Sequence, residues 1–231
     1  ASTSLLRELV TRMAERLDYV KIAPERMADI GCATGDGIRE MSRRYPKALP
    51  LAIDYALPML QQVRTRSSFA QRALSMFGGG APRLVNADVN ALPLRAASLG
   101  LVWSNLMLHW LDDPLPAFRE LHRCMEVGGL VTLSLLGPDT LKEIRAACLA
   151  CDIAPPLHRF HDMHDIGDML VAAGFADPVM DMECITFTYR TPRGLLRDQR
   201  HLGVRDALFG HLPWRDWRRV FSVWGERDAA N

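Results

Sequence analysis

Ala28-Asp29-Ile30-Gly31-Cys32-Ala33-Thr34-Gly35-Asp36-Gly37 is the stretch on which the fold turns. Its first residues close a short apolar strand beginning at Arg26, and the residues from Ile38 to Arg44 open a helix. The small residues between them allow backbone N–H groups to approach a polar or anionic ligand at the helix start. Nineteen residues after Gly35 comes Leu51-Ala52-Ile53-Asp54, a second strand ending in an acid. A carboxylate in that place can accept both hydroxyls of a ribose. Strand, glycine turn, helix, strand and acid read as a nucleoside-binding βαβ unit.

Working outward, the same grammar repeats. Residues 83–88 form a third strand running to Asp88, and 99–104 a fourth, buried strand followed by Asn105. Gly128-Gly129 makes a turn into a fifth strand over 130–136. Helices are expected over 4–19, 58–67 and 115–125, from apolar residues at three- and four-residue spacing. Strands alternating with helices predict an α/β fold, a doubly wound and mostly parallel sheet with right-handed crossovers. Ligands of such sheets bind beyond the carboxyl ends of the strands, where Gly31, Asp54, Asp88 and Asn105 all lie.

Beyond the fifth strand, Thr140 and Glu143 have capping-box spacing ahead of a helix reaching about residue 150. A proline-containing loop covers 151–160, and a helix over 162–173 stops at Gly174. Residues 179–189 alternate well enough for a sixth strand, and helices are expected over 192–201 and 214–223. The organisation expected is an N-terminal helical lid over 1–25, a ligand-binding core over 26–136, and a substrate-side cap of helices over 137–231 carrying the sixth strand.

The 231 residues are 48% hydrophobic and 24% charged, ordinary for a globular chain, with a net charge of +1 that argues against a whole-domain nucleic-acid binder. The charge is uneven: residues 190–231 hold nine Arg against five acids. Five cysteines at irregular spacing suggest reduced thiols and a cytoplasmic setting. No signal peptide or membrane-length apolar run is visible, and the chain begins at Ala1 rather than Met, so an initiator or a longer N-terminus is missing. Cys148-x-x-Cys151 with His158, His161 and His164 has some zinc-like spacing but lacks a second Cys pair, and no metal is expected.

These residues resemble the class I S-adenosylmethionine-dependent methyltransferases over about 26–189. Asp29-x-Gly31-x-Ala33-x-Gly35 is similar to their glycine motif, Asp54 to their ribose acid, and Asp88 to their adenine-amine acceptor. The stretches 101–110, 137–143 and 172–175 resemble, more narrowly, the malonyl-[acyl-carrier protein] O-methyltransferase family of biotin synthesis. The resemblance implies S-adenosylmethionine as cofactor, held by Asp29, Gly31, Cys32, Ala33 and Gly35 around its methionine part. Asp54, Tyr55 and Met59 would take the ribose and adenine, Asp88 and Val89 the adenine edge and face, and Asn105 the region of the methyl. It also implies malonyl-bearing acyl carrier protein, or malonyl-CoA, as the partner.

An acceptor carboxylate calls for a cation, preferably the fork of an arginine; Arg145, Arg197 and Arg200 are candidates, with His109 as a lining residue. The Arg-rich C-terminal region suits an acidic helical partner or serves only as a solvated surface. Three departures stand out: Ala33 where the middle glycine belongs, Gly100 where an acid opens the fourth strand, and Val127 where a proline precedes the glycine pair. A seventh strand is not legible before Asn231, as in a truncated chain. Two rivals remain: a related protein-arginine hydroxylase that assists assembly of respiratory complex I, and a non-catalytic binding protein of the same fold.

Overall fold

The computed structural model describes residues 2–66, 81–189, 191–201 and 212–228. Helix α1 (Ser2–Arg16) runs into a 3-10 turn (Leu17–Tyr19), and β1 (Arg26–Ile30) follows. Then come α2 (Asp36–Arg44), β2 (Leu49–Asp54), α3 (Leu57–Arg66), β3 (Arg83–Asn86) and β4 (Leu99–Asn105). After α4 (Leu115–Cys124) and β5 (Met125–Ser134), the remaining elements are helices: α5 (Lys142–Ala150), α6 (Met163–Ala173), α7 (Pro192–His201) and α8 (Trp214–Asp228).

The five strands pair in the order β3-β2-β1-β4-β5, every neighbour parallel. A strand covered on both faces must be apolar along its whole length rather than at alternate positions. The sequences of β1, β2 and β4 meet that demand over most of their length, with Asp29 and Ser104 as buried polar exceptions, and Met27, Ala28, Ala52, Leu101, Val102 and Trp103 are entirely buried. The core beneath α2 and α3 joins Ile38, Met41, Leu60 and Val63 to these strands and to Val10, Met13 and Leu17 from α1 and its following turn. Strand order reverses between β1 and β4, so the crevice of such a sheet opens where Gly31 and Asn105 emerge.

Contacts divide the chain into two compact units: Leu6–Leu135 with Ile166–Val179, which holds the sheet, and a helical unit of the described parts of Ala1–Leu5, Leu136–Asp165 and Met180–Asn231. In the helical unit α8 packs on α5 and meets α7.

Three local expectations are corrected. Residues 179–189 form no strand: Val179, Met182 and Cys184 are exposed, so the alternation buries neither face, and no described strand ladders with the segment. Period-two patterning makes a strand only where a neighbour satisfies its backbone. The capping box is not formed: Leu141, at φ 58°, and not Thr140, is the cap of α5 and has no side-chain hydrogen bond there, while the Thr140 N–H closes a turn onto the Gly137 carbonyl at 3.0 Å. Gly128-Gly129 lies inside β5 as a bulge, since Leu99 pairs with Met125 and Leu101 already with Leu130. The bulge bears on Gly100. A Cβ there would lie 2.5 Å from Glu126 Oε1 and 3.0 and 3.1 Å from Pro24 Cβ and Cα, so a side chain at position 100 would have to displace the Glu126 carboxylate and press on Pro24.

Candidate active site

The carboxyl edge of the sheet gathers the first-read residues onto adjacent strands. Ile30 pairs with Ile53, Asp54 with Asn86, and Asn105 with Ser134, so the ends of β1, β2, β3, β4 and β5 are level. The Ile53 carbonyl accepts the N–H groups of both Gly31 (2.9 Å) and Cys32 (3.1 Å), which folds the glycine loop back over β2. Gly31 and Gly35 sit at φ 71° and 79°, conformations that cost a residue with a Cβ. At Gly31 a Cβ would also meet Met107 Cγ at 2.2 Å. Ala33 adopts φ 43° despite its methyl, so the chain holds a strained residue at the middle of the loop.

Asp54 ties this loop to the next. Its Oδ2 accepts from the Ala33 N–H at 2.9 Å and its Oδ1 from the Ala56 N–H at 2.8 Å. Each carboxylate oxygen can accept a second bond, so the group stays competent to take hydroxyls. Asn86 holds it in place by donating from Nδ2 to the carbonyls of Asp54 (2.9 Å) and Tyr55 (2.8 Å). Tyr55 is exposed and Met59 half-buried at the start of α3. Asp88 is exposed and accepts through Oδ1 from the N–H and Nδ2 of Asn90, at 2.9 and 3.0 Å, while Val89 beside it is buried.

Asp29 is 2% exposed, its side chain turned beneath the first turn of α2. A Cβ on Gly37 would lie 2.7 Å from both Asp29 Oδ2 and Trp103 Nε1, two buried atoms with no hydrogen bond among the described residues. Burial pushes the Asp29 carboxyl up to about 7; the Ile38 N–H pulls it down, and the charges of Asp54 and Asp36 add to the rise. Burial likewise raises the Cys32 thiol, which keeps it protonated and inert.

At the end of β4, Asn105 Oδ1 accepts from the Ser134 hydroxyl at 2.6 Å, and that hydroxyl accepts from the Leu106 N–H at 3.1 Å. The pair holds Leu106 at φ 52° and so sets the direction in which the chain leaves the strand. His109 follows in a 3-10 turn (Leu108–Trp110), 4% exposed, its ring 4.5 Å from that of Trp110. Of the cationic candidates in the helical unit, Arg145 is half-buried on α5 and Arg197 exposed on α7, while the Arg200 side chain lies outside the described ones. Cys148 and Cys151 are buried thiols at the end of α5.

The sequence reading missed Asn86, Ser134 and Met107. The first two have a findable signal: each stands opposite a site residue in strand register, Asn86 facing Asp54 and Ser134 facing Asn105. Met107 gives none, because only the folded loop brings it to Gly31.

A parallel five-stranded sheet of this order, with a glycine loop after β1 and acids closing β2 and following β3, is the Rossmann-like fold that class I methyltransferases share. Residues 28–133 match a family described as a methyltransferase domain. Solved folds agree: an S-adenosylmethionine-dependent methyltransferase from Mesorhizobium loti superposes with a TM-score of 0.56 at 19% identity, covering 74% of this chain and 83% of that one. Another from Aquifex aeolicus gives 0.54 at 18% identity, covering 74% and 82%.

Among curated relatives, the malonyl-[acyl-carrier protein] O-methyltransferase of Gallionella capsiferriformans is 50% identical over 91% of this chain and 71% of its own length. Those of Methylovorus sp. and Laribacter hongkongensis are 43% and 42% identical, over 91% and 95% of this chain and 70% and 75% of theirs. The chain belongs to the malonyl-[acyl-carrier protein] O-methyltransferase family.

Proposed function

We propose that this protein is an enzyme that transfers a methyl group from S-adenosylmethionine to the free carboxylate of malonyl-[acyl-carrier protein], forming its methyl ester for biotin synthesis. The observation that carries the reading is the 50% identity to a relative of that name over 91% of the chain, joined to a site whose elements fit the methyl donor. It favours methyl transfer over the arginine-hydroxylase and non-catalytic readings.

The residues present fit the donor. Asp54 has acceptor capacity left after its two backbone bonds, Asp29 keeps one buried oxygen without a hydrogen bond among the described residues, and Gly31 lets the loop backbone come close. Asp54, Tyr55 and Met59 would hold ribose and adenine, Asp88 and Val89 the far edge of the base. The loop of Asp29, Gly31, Cys32, Ala33 and Gly35 would hold the methionine part, with Asn105 beside the methyl. S-adenosylmethionine supplies, when bound, a methyl group activated by its sulfonium.

A malonyl carboxylate is ionised at neutral pH, so the acceptor needs no general base. The chain's task is to hold the acceptor in line at about 3–3.5 Å from the carbon it attacks and to exclude water. Arginine pairs with a carboxylate through two parallel N–H bonds, which favours Arg145, Arg197 or Arg200 over His109 for positioning it. Five cysteines, of which the described ones are all free thiols, support a reducing, cytoplasmic setting, and the net charge of +1 supports a protein rather than a nucleic-acid partner. Among the described residues no helix is long and apolar enough to cross a membrane.

The test is mass spectrometry of malonyl-[acyl-carrier protein] incubated with the enzyme and S-adenosylmethionine. A gain of one methyl in place of the acid proton, lost again on ester hydrolysis, is the expected result. An unchanged carrier mass alongside normal cofactor binding would reject the assignment.

A further inference from the structure

The helical unit contains a groove of about 350 Å³ between the start of α7 and the outer side of α8, lined by Thr191, Arg193, Trp214, Arg218, Phe221 and Ser222. Trp214, Arg218 and Phe221 recur at four- and three-residue spacing along α8, one face of the helix. The rest of the helix is already used: Trp217, whose ring stacks on Phe221 at 5.3 Å, and Val220 are buried, α8 packs on α5, and Arg219 donates to the Cys151 carbonyl at 3.0 Å. The groove is therefore not the exposed side of a loosely attached helix.

We propose that this groove docks an acidic amphipathic helix of a partner protein, which on the function proposed above, and resting on it, is the acyl carrier protein. Charge complementarity is the first argument. The lining carries two guanidinium groups and no carboxylate, and among the described residues neither Arg193 nor Arg218 forms an ion pair. The neighbouring acid, Asp216, lies 3.7 Å from Arg215 instead. The wider region, with nine Arg against five acids over 190–231, points the same way.

Shape and composition are the second argument. Arg193 lies over the Trp214 ring at 5.1 Å, which braces its guanidinium at the rim, and Trp214 meets Phe221 edge-on at 6.2 Å. Trp214 stays 47% exposed. An exposed tryptophan flanked by arginines is the composition of binding hot spots, in which an aromatic floor takes an apolar side chain and the cations take acids around it. A helix with one apolar residue and acids one turn to either side fits that arrangement. The apolar floor is larger than a bare anion needs.

The test uses the full chain and carrier protein without its malonyl group, followed by calorimetry at low and high salt. Wild type binds, more weakly as salt rises, and Arg193→Glu with Arg218→Glu weakens binding by at least about tenfold at low salt. Trp214→Ala also weakens it by about tenfold, with S-adenosylhomocysteine affinity and melting temperature unchanged. If charge reversal disturbs folding, Arg193→Gln with Arg218→Gln serves, with a smaller loss expected. No binding by wild type, or equal affinity in wild type and the folded variants, overturns the proposal. Methyl-ester formation is scored separately. Carrier binding in the groove without ester sinks the function and leaves the groove, whereas ester formation with an unchanged KM in the variants does the reverse.

Discussion

Asp54 does two jobs with one carboxylate, and they can be separated by substitution. Asn at that position keeps the shape but has a single acceptor oxygen, so the N–H of Ala33 or of Ala56 loses its partner. One hydrogen bond to a charged group is worth about 1.5–3 kcal/mol. Asp54→Asn is therefore expected to weaken S-adenosylhomocysteine by at least about tenfold in calorimetry, and an unchanged affinity would remove Asp54 from the site.

Asp29 makes a different prediction, about pH. Its carboxyl ionises near 3.8 when unfolded and near 7 in the folded protein. Between those values the folded state keeps a proton that the unfolded state has released, so stability falls as pH rises. The contribution is complete below about pH 4 and lost above about pH 7, on the order of a few kcal/mol. Urea denaturation of Asp29→Asn should lack this slope and exceed wild type in stability at pH 8; parallel curves from pH 4 to pH 8 would contradict the burial argument. Ser134→Ala, by releasing the Asn105 side chain while the Leu106 N–H keeps its bond to the Ser134 carbonyl at 3.1 Å, is expected to lower kcat more than it raises KM, with Ser134→Thr restoring the loss.

At the scale of elements, patterns backed by burial on two faces were readable from the chain. The runs of β1, β2 and β4 are apolar because both faces are covered, and the glycine loop announces itself by residue type. Readings that needed knowledge of a partner failed. Alternation over 179–189 looks like a strand until both faces are found exposed, and Thr140 with Glu143 looks like a cap until Leu141 takes the left-handed position. Strand register, which identifies Asn86 and Ser134, is a long-range property that local periodicity does not carry. One helix exerts its influence through such contacts. From α4, Glu120 accepts the Leu92 N–H at 2.8 Å, and Arg123 donates to the carbonyls of Leu94 (2.9 Å) and Leu92 (3.2 Å). The two also pair with each other at 2.7 Å, which lowers the Glu120 carboxyl. This clamp holds the connector that follows Asp88 and Val89. Arg123→Ala is expected to speed amide hydrogen exchange over 88–94 while leaving the β1 and β4 amides protected; uniform exchange would mean the connector is held otherwise.

For the molecule as a whole, ligand and fold are linked. A ligand that binds only the folded state stabilises it by about 2.7 kcal/mol at a hundredfold excess over Kd, a rise of roughly 5–10 °C in melting temperature for a chain of this size. S-adenosylhomocysteine should produce that saturable rise in wild type and a markedly smaller one in Asp54→Asn. Equal rises would place the ligand elsewhere. A second whole-chain constraint follows from the bulge in β5. Because Glu126 reaches into the volume in front of Gly100, positions 26 residues apart in the chain share one small space, and a side chain at position 100 obliges the Glu126 carboxylate to move. Homologues with an acid at the first position should carry something shorter or uncharged at the second. In a double-mutant cycle, Gly100→Asp alone would force two carboxylates together, and Glu126→Ala would recover the part of the loss due to Glu126 but not the part due to Pro24, marking the two positions as one coevolving unit.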